Sequence, residues 1–256
     1  MLRVYHLLIG LILLALSPFI LKSVFKKSSS DNNVQPQPTQ SQSSPIPIVT
    51  ASAATTVTTS KPLSGNVWKS LLGRTIAPVG WNVAPCNGDA PFLCISSNGK
   101  NLGSVEMGIY PLAKQQRFQK MLMNAGIPVG IKIDYQNPNY QNQITSALGD
   151  WVTDEYAVIS KDRQSSYTNK INFSGYPPQK VSVGQLQGLR YGFTGIKREG
   201  GIQEQHLKYI AFDGDKLYVI NTAYDPASKS GKFAKHENLA VFEPFLSAIT
   251  ANLKLP

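Results

Sequence analysis

The chain has 256 residues, with 25 Lys and Arg against 15 Asp and Glu, two cysteines and three histidines. That length holds one ordinary domain with extensions, and 42% apolar content suffices for a sizeable core. Two cysteines exclude a disulfide-stapled miniprotein and three scattered histidines argue against a multi-histidine cage; at 16% charged residues, the net charge of +10 is an imbalance of sign, not an abundance.

Residues 1–27 read as a single membrane span. Leu7 to Leu21 is 15 residues without a charge, and Val4 to Phe25 extends the run to 22 with His6 and Lys22 snorkelling to the interface. At ~1.5 Å per residue, 22 residues reach ~33 Å, enough for a hydrocarbon core of about 30 Å. Fifteen alone would suit the apolar region of a cleaved secretory signal, but Pro18 directly follows the small-residue pair Ala15 and Ser17. An uncleaved signal anchor is the favoured reading, with the cleaved signal as its alternative. Arg3 precedes the span while Lys22, Lys26 and Lys27 follow it, a count that puts the rest of the chain in the cytoplasm. The cysteines argue below for the opposite side.

Residues 28–64 form a linker: 24 of the 37 are Ser, Thr, Pro or Gln, with no Trp, Tyr or Phe and only Asp31 and Lys61 charged. Such a segment buries too little apolar surface to offset its chain entropy, and disorder is expected. Residues 65–256 read as one globular domain holding all three tryptophans, with 20 basic against 14 acidic residues.

Within that domain, Gly80–Cys86 and Phe92–Ile95 flank the turn cluster Asn87-Gly88-Asp89-Ala90-Pro91 and predict a hairpin. Ser104–Tyr110 alternates and predicts a third strand. Phe118, Met121, Leu122 and Ala125 recur at helical spacing, ended by Gly126 and Pro128. After an apolar run from Val129 to Ile133, Tyr140, Ile144, Leu148, Trp151, Tyr156 and Ile159 predict a longer helix, introduced by Asn137-Pro138-Asn139 and open to interruption at Gly149. Leu186–Lys197, Gln203–Phe212 and Lys216–Tyr224 predict three consecutive antiparallel strands, turning at Glu199-Gly200-Gly201 and Asp213-Gly214-Asp215. Leu239, Phe242, Leu246, Ile249 and Leu253 mark a closing helix, expected to begin near Glu243 with Pro244 in its first turn. Segregated strands and helices give an α+β class: an antiparallel sheet covered by helices.

The meander Leu207–Phe212, Asp213–Lys216 and Leu217–Ala223, followed by a charged stretch and Phe245–Leu255, resembles the PsbP-like family, and the Gly80-Trp81-Asn82-Val83 strand fits it too. The resemblance covers the first 30 or so and last 70 or so residues of the domain and is carried by core residues. It implies an α/β/α sandwich and, as the family's setting, the lumenal side of a photosynthetic membrane. It carries over no binding residues.

Cys86 and Cys94 lie on opposite arms of the predicted hairpin, where cross-strand placement suits a disulfide and therefore an oxidising compartment; free buried thiols are the alternative. Glu204 and His206 share a face of one strand, a weak metal candidate, and Asp213 and Asp215 at the following turn fit ordinary hairpin chemistry better; no metal and no cofactor is expected. His236 beside Glu237 is expected to be solvated. No Gly-x-Ser-x-Gly elbow, His-Glu-x-x-His pair or phosphate loop is present, and Asp154 and Glu155, adjacent on a helix, diverge. No catalytic residue is expected. Lys197, Arg198, Lys229, Lys232 and Lys235 cluster in loops as a candidate partner surface. Their density is too low for nucleic acid and suits anionic lipid headgroups or an acidic protein face.

The sequence therefore leads to a non-enzymatic, membrane-tethered binding or assembly factor acting on a membrane complex, its domain on the exported side (periplasm or thylakoid lumen). Its alternatives are a domain binding lipid or a small hydrophobic ligand and, third, an uncharacterised enzyme.

Overall fold

The computed structural model describes residues 65–255, apart from 129, 131, 133, 135, 136, 168 and 169. The expected span and linker, and Val129, Ile131 and Ile133 of the apolar run, lie outside the described residues. Among the described residues no helix is long and apolar enough to cross a membrane.

The elements in chain order are α1 (Trp68–Leu71), β1 (Trp81–Pro85), β2 (Phe92–Ser97), β3 (Lys100–Pro111), a 3-10 turn (Leu112–Lys114), α2 (Gln116–Asn124), α3 (Pro138–Ser166), β4 (Ile171–Gly175), β5 (Gln179–Val183), β6 (Leu186–Lys197), β7 (Ile202–Phe212), β8 (Lys216–Tyr224) and α4 (His236–Ala251). All eight strands form one sheet in the order β1-β2-β3-β8-β7-β6-β4, with β5 also on β6, and every pairing is antiparallel. The class is α+β.

Alternation along the strands sends side chains to two separate cores. On one face Leu207, Tyr209, Ala211, Tyr218 and Ile220 pack beneath α1 and α4 with Trp68, Phe242, Leu246 and Ile249. On the other, Leu189, Tyr191, Ile210, Phe212 and Leu217 pack beneath α2 and α3 with Phe118, Leu122, Ile144, Leu148 and Val152. Helices thus cover both faces of the sheet.

Three expectations need correction. Gly149 does not interrupt α3, which runs unbroken for 29 residues; nothing stands within 4 Å of where its Cβ would be, so the position tolerates a helix without demanding a break. Asn137 caps α3 by accepting from Asn139 N–H at 3.0 Å, and Pro138 occupies its first position. Second, α4 begins at His236 rather than near Glu243, so Pro244 lies inside it. Proline lacks the N–H that would reach the Ala240 carbonyl, but Ala240 and Pro244 are both exposed, and water can satisfy that carbonyl. Third, β4 and β5 extend the sheet beyond the predicted meander, each pairing with part of β6.

At one end the sheet forks. β3 and β8 pair from Glu106 to Pro111, and beyond that pairing the segment 231–234 lies between them: Ser104 N–H donates to the Lys232 carbonyl at 2.9 Å, Phe233 N–H to Ala223 at 2.7 Å and Ala234 N–H to Leu102 at 3.1 Å. Phe233 fills the wedge, its ring 2.5 Å from where a Cβ at Gly103 would stand, so only glycine fits there.

Candidate functional site

Antiparallel alternation brings four connections to the forked end: the β2–β3 turn, the α3–β4 link, the β6–β7 turn and the β8–α4 loop. They carry Lys100, Lys170, Lys197, Arg198, Lys229, Lys232 and Lys235. Arg198 N–H donates to the Lys170 carbonyl at 3.1 Å, joining two of these connections, and Gly200 and Gly201, both at positive φ, close the turn after Arg198. The structure thus places all five sequence candidates at one end. Arg198, Lys229 and Lys235 are exposed, Lys197 is half-buried, and Lys232 turns inward with Nζ 3.5 Å from the Asp225 carbonyl. Lys100 and Lys170 were missed because each stands alone in sequence. Among the described residues none of the seven pairs with a carboxylate within 4 Å, and all but the inward-turned Lys232 direct their charge outward. The exposed acids nearby are Asp162, Glu199 and Glu237.

Beneath this rim lies a buried ionic network. Glu204 (0% exposed) and His206 on β7 face α3, as alternation predicts, and Asp225 (3%) follows β8. His206 Nε2 lies 2.9 Å from Glu204 Oε2 and 3.6 Å from Asp225 Oδ2, and its ring stacks on Phe193 with centroids 4.2 Å apart. These three residues could hold a divalent ion by spacing alone. Arg163 of α3 already supplies the cation: its guanidinium reaches the same two oxygens, Glu204 Oε2 at 3.1 Å and Asp225 Oδ2 at 3.4 Å, and also Asp162 at 2.8 Å. An ion on those oxygens would displace the guanidinium, so the chemistry present is a salt-bridged anchor for the β8–α4 loop. Asp225 Oδ1 adds to that anchor by accepting from Ala227 N–H at 2.8 Å. Asp213 and Asp215 lie at the opposite end of β7; Asp213 accepts from Asp215 N–H, Lys216 N–H and the Tyr218 hydroxyl, which is hairpin chemistry. Arg163 had a readable signal, for it continues the α3 stripe of Ile144, Leu148, Glu155 and Ile159, which are spaced by four or seven. Asp225, sixty-two residues beyond Arg163, had none.

Further along α3, Asp154 and Glu155 diverge as expected. Asp154 pairs with Arg117 of α2 on the surface, while Glu155 points at the sheet, where Lys208 pairs with it and the Tyr191 hydroxyl donates at 2.5 Å. Burial pushes the Glu155 carboxyl up, but Lys208 and the Tyr191 hydroxyl outweigh it and hold it below its ordinary value. Glu106, facing the same lysine, is driven up by burial, which Lys208 only partly offsets.

The α4 face of the sheet carries a cleft of about 320 Å³ lined by Tyr176, Gln179, Arg190, Gln205 and Glu243, among others. Arg190 pairs with Glu243 of α4, and Gln205 donates to the Tyr176 hydroxyl at 3.0 Å. His236, expected to be solvated, is half-buried and held: its Nε2 lies 2.7 Å from Gln205 Oε1, and its ring meets Tyr224 edge-on. Most of the polar side chains in this lining are paired with one another. Cys86 and Cys94 are joined by a disulfide with Cα atoms 4.9 Å apart, at the end of the sheet opposite the basic rim.

No family model and no curated protein matches the chain. Among solved structures, it is similar to the solution structure of cyanobacterial PsbP (CyanoP) from Synechocystis sp. PCC 6803, at 8% identity and a TM-score of 0.35, over 70% of this chain and 84% of that one. It is also similar to LpqN, involved in cell envelope biogenesis of Mycobacterium tuberculosis, at 11% identity and a TM-score of 0.32, over 69% and 78% of the two chains. The likeness is one of fold at a distance and assigns no activity.

Proposed function

We propose that the chain is a non-enzymatic, membrane-tethered binding or assembly factor of PsbP-like type, acting on a membrane complex from the exported side, with a photosynthetic membrane as the setting the sequence resemblance implies. The observation that carries this reading is the basic end of the sandwich, where four connections gather seven Lys and Arg that form no ion pairs among the described residues. A surface of that kind attracts an anionic partner without the convergent polar groups a catalyst needs. The Cys86–Cys94 disulfide supports an oxidising compartment. The apolar run at residues 4–25 supports attachment, and the linker at 28–64 supports reach. The α4-face cleft is small, and the Arg190–Glu243 pair and the Gln205–Tyr176 hydrogen bond cross its lining, which gives little support to a hydrophobic-ligand carrier.

The test is co-purification from detergent-solubilised native membranes. A partner should be retained at about 0.05 M salt and released at about 0.5 M, where screening shortens to a few ångströms. Recovery of the protein with neither a protein partner nor co-purifying anionic lipid at low salt would overturn the reading.

A further inference from the structure

We propose that the partner of the basic end is the headgroup layer of an anionic lipid bilayer, on which the domain docks end-on. This deepens the binding function proposed above and rests on it.

Hydrogen bonds trace the rim continuously across the end of the sheet. Ser97 Oγ donates to the Gly80 carbonyl at 3.1 Å, holding the Val79–Gly80 corner beside the β2–β3 turn and Lys100. Ala234 N–H bonds to Leu102, bringing the loop with Lys232 and Lys235 against the start of β3. The Arg163 network holds that loop to α3, and Arg198 joins Lys170 on the far side. From β1 to β4 the path crosses seven strands, about 30 Å at ~4.8 Å spacing. Positive charge spread thinly over such a width matches a uniformly charged plane better than a compact acidic knob on a protein.

Exposed aliphatic residues stand at one edge of this rim, before β1, and one strand in from the other, on β6. Val79 is fully exposed at 103%, and Ile196, next to Lys197 and Arg198, is 42% exposed. Singly, such residues are unremarkable on a soluble surface. Flanking a basic rim, they are the residue type that enters the boundary between headgroups and acyl chains while Lys and Arg remain at the phosphates. Each basic residue held at an anionic surface favours docking roughly fivefold, so several acting together suffice for a domain already confined near the bilayer. Docked this way, the end is covered while the α4-face cleft stays free.

The full chain reconstituted in vesicles tests this by labelling its lysines with a membrane-impermeant amine reagent, read peptide by peptide by mass spectrometry. In phosphatidylcholine vesicles containing about one third phosphatidylglycerol, Lys100, Lys170, Lys197, Lys229 and Lys235 should label several-fold more slowly than in pure phosphatidylcholine, with Lys114 at the opposite end unchanged and the difference abolished by salt. K197Q/R198Q/K229Q, all in exposed turns or half-buried at their edge, should lower docking by roughly 100-fold at the same factor per site, read on the remaining lysines, with an unchanged circular dichroism spectrum. V79S/I196S, neutral at both sites, should weaken the protection without removing its salt dependence; unchanged protection would overturn the insertion of the two aliphatics. Equal labelling in both vesicle types would overturn lipid docking. If the same lysines are then protected in native membranes, the partner is an acidic protein face and the binding function stands. If they are not, both proposals fall.

Discussion

Tyr156 shows how much one side chain can hold. Gly192 pairs with Leu207 of β7 but, between the stretches of β6 paired with β4 and with β5, has no ladder partner on its other side, and the Tyr156 hydroxyl, reaching in from α3, takes that place. It accepts from Gly192 N–H at 3.1 Å and lies 2.7 and 2.8 Å from the Tyr176 and Gly192 carbonyls, donating its one proton to one of them. Tyr156→Phe removes the acceptor and leaves a part-buried N–H unpaired, so thermal denaturation should show a loss of about 1–3 kcal/mol. A value near zero would mean that water replaces the hydroxyl. The neighbouring Glu155 carries a pH signature. Its carboxyl is held below its ordinary value in the folded state, so the stability it contributes is fully present above the unfolded carboxylate range and is lost as pH falls through the lower folded value. Glu106, raised, runs the other way: its protonation on acidification favours the fold. Glu155→Gln should therefore be destabilised at neutral pH and flatter than the parent in the acid limb, in melts between pH of about 3 and 7. An acid limb identical to the parent would refute the assignment. At this scale the sequence is legible only where a single element decides. Alternation put Glu204 and His206 on one face, but Arg163 and Asp225, which determine what that pair does, come from other elements.

Among elements, the long strands β6, β7 and β8 were readable because both faces are buried and their turns carry glycines at positive φ. Strands β4 and β5 were not, being five residues each and mostly exposed or half-buried, so that their alternation, Ile171 with Phe173 and Val181 with Val183, is only two apolar residues long. The first half of α4 was hidden by Pro244, whose cost falls on a solvent-facing carbonyl and so is too small to end a helix that buries Leu239 and Phe242. The β1–β2 hairpin combines a readable turn with the Cys86–Cys94 bridge, which closes eight residues. By the chain-entropy account this adds roughly 2–3 kcal/mol, and at 2–4 °C per kcal/mol for a domain of this size the double variant C86S/C94S should melt roughly 5–10 °C lower. The disulfide lies at the end of the β1–β2 hairpin opposite the basic rim, so lysine protection at anionic vesicles should persist in the same variant below its melting temperature. Loss of both together would tie the rim to the hairpin.

Across the whole domain, two cores lie on opposite faces of a single sheet, and their strands are the same strands. Tyr209 and Ala211 belong to the α4-side core while Ile210 and Phe212, between and after them, belong to the α3-side core. Neither layer of helices can leave without exposing strands whose other face is still packed, and losing those strands removes the second core. The fold should therefore unfold in one cooperative transition despite having two cores. Leu246→Ala under α4 and Leu148→Ala under α3 each empty a fully buried site, and each should cost about 2–5 kcal/mol. Both should lower the same melting temperature, by roughly 5–15 °C, with a single calorimetric peak whose width does not grow. The charged end gives this cooperativity a functional side. The β8–α4 loop is tied to α3 through Arg163 and to the sheet through Phe233, so the rim keeps its arrangement only while both helical layers stay in place. A calorimetric trace for Leu148→Ala that splits into two peaks, with the α4-side core melting at the parent temperature, would refute the shared-strand argument and with it the idea that the rim is a rigid surface.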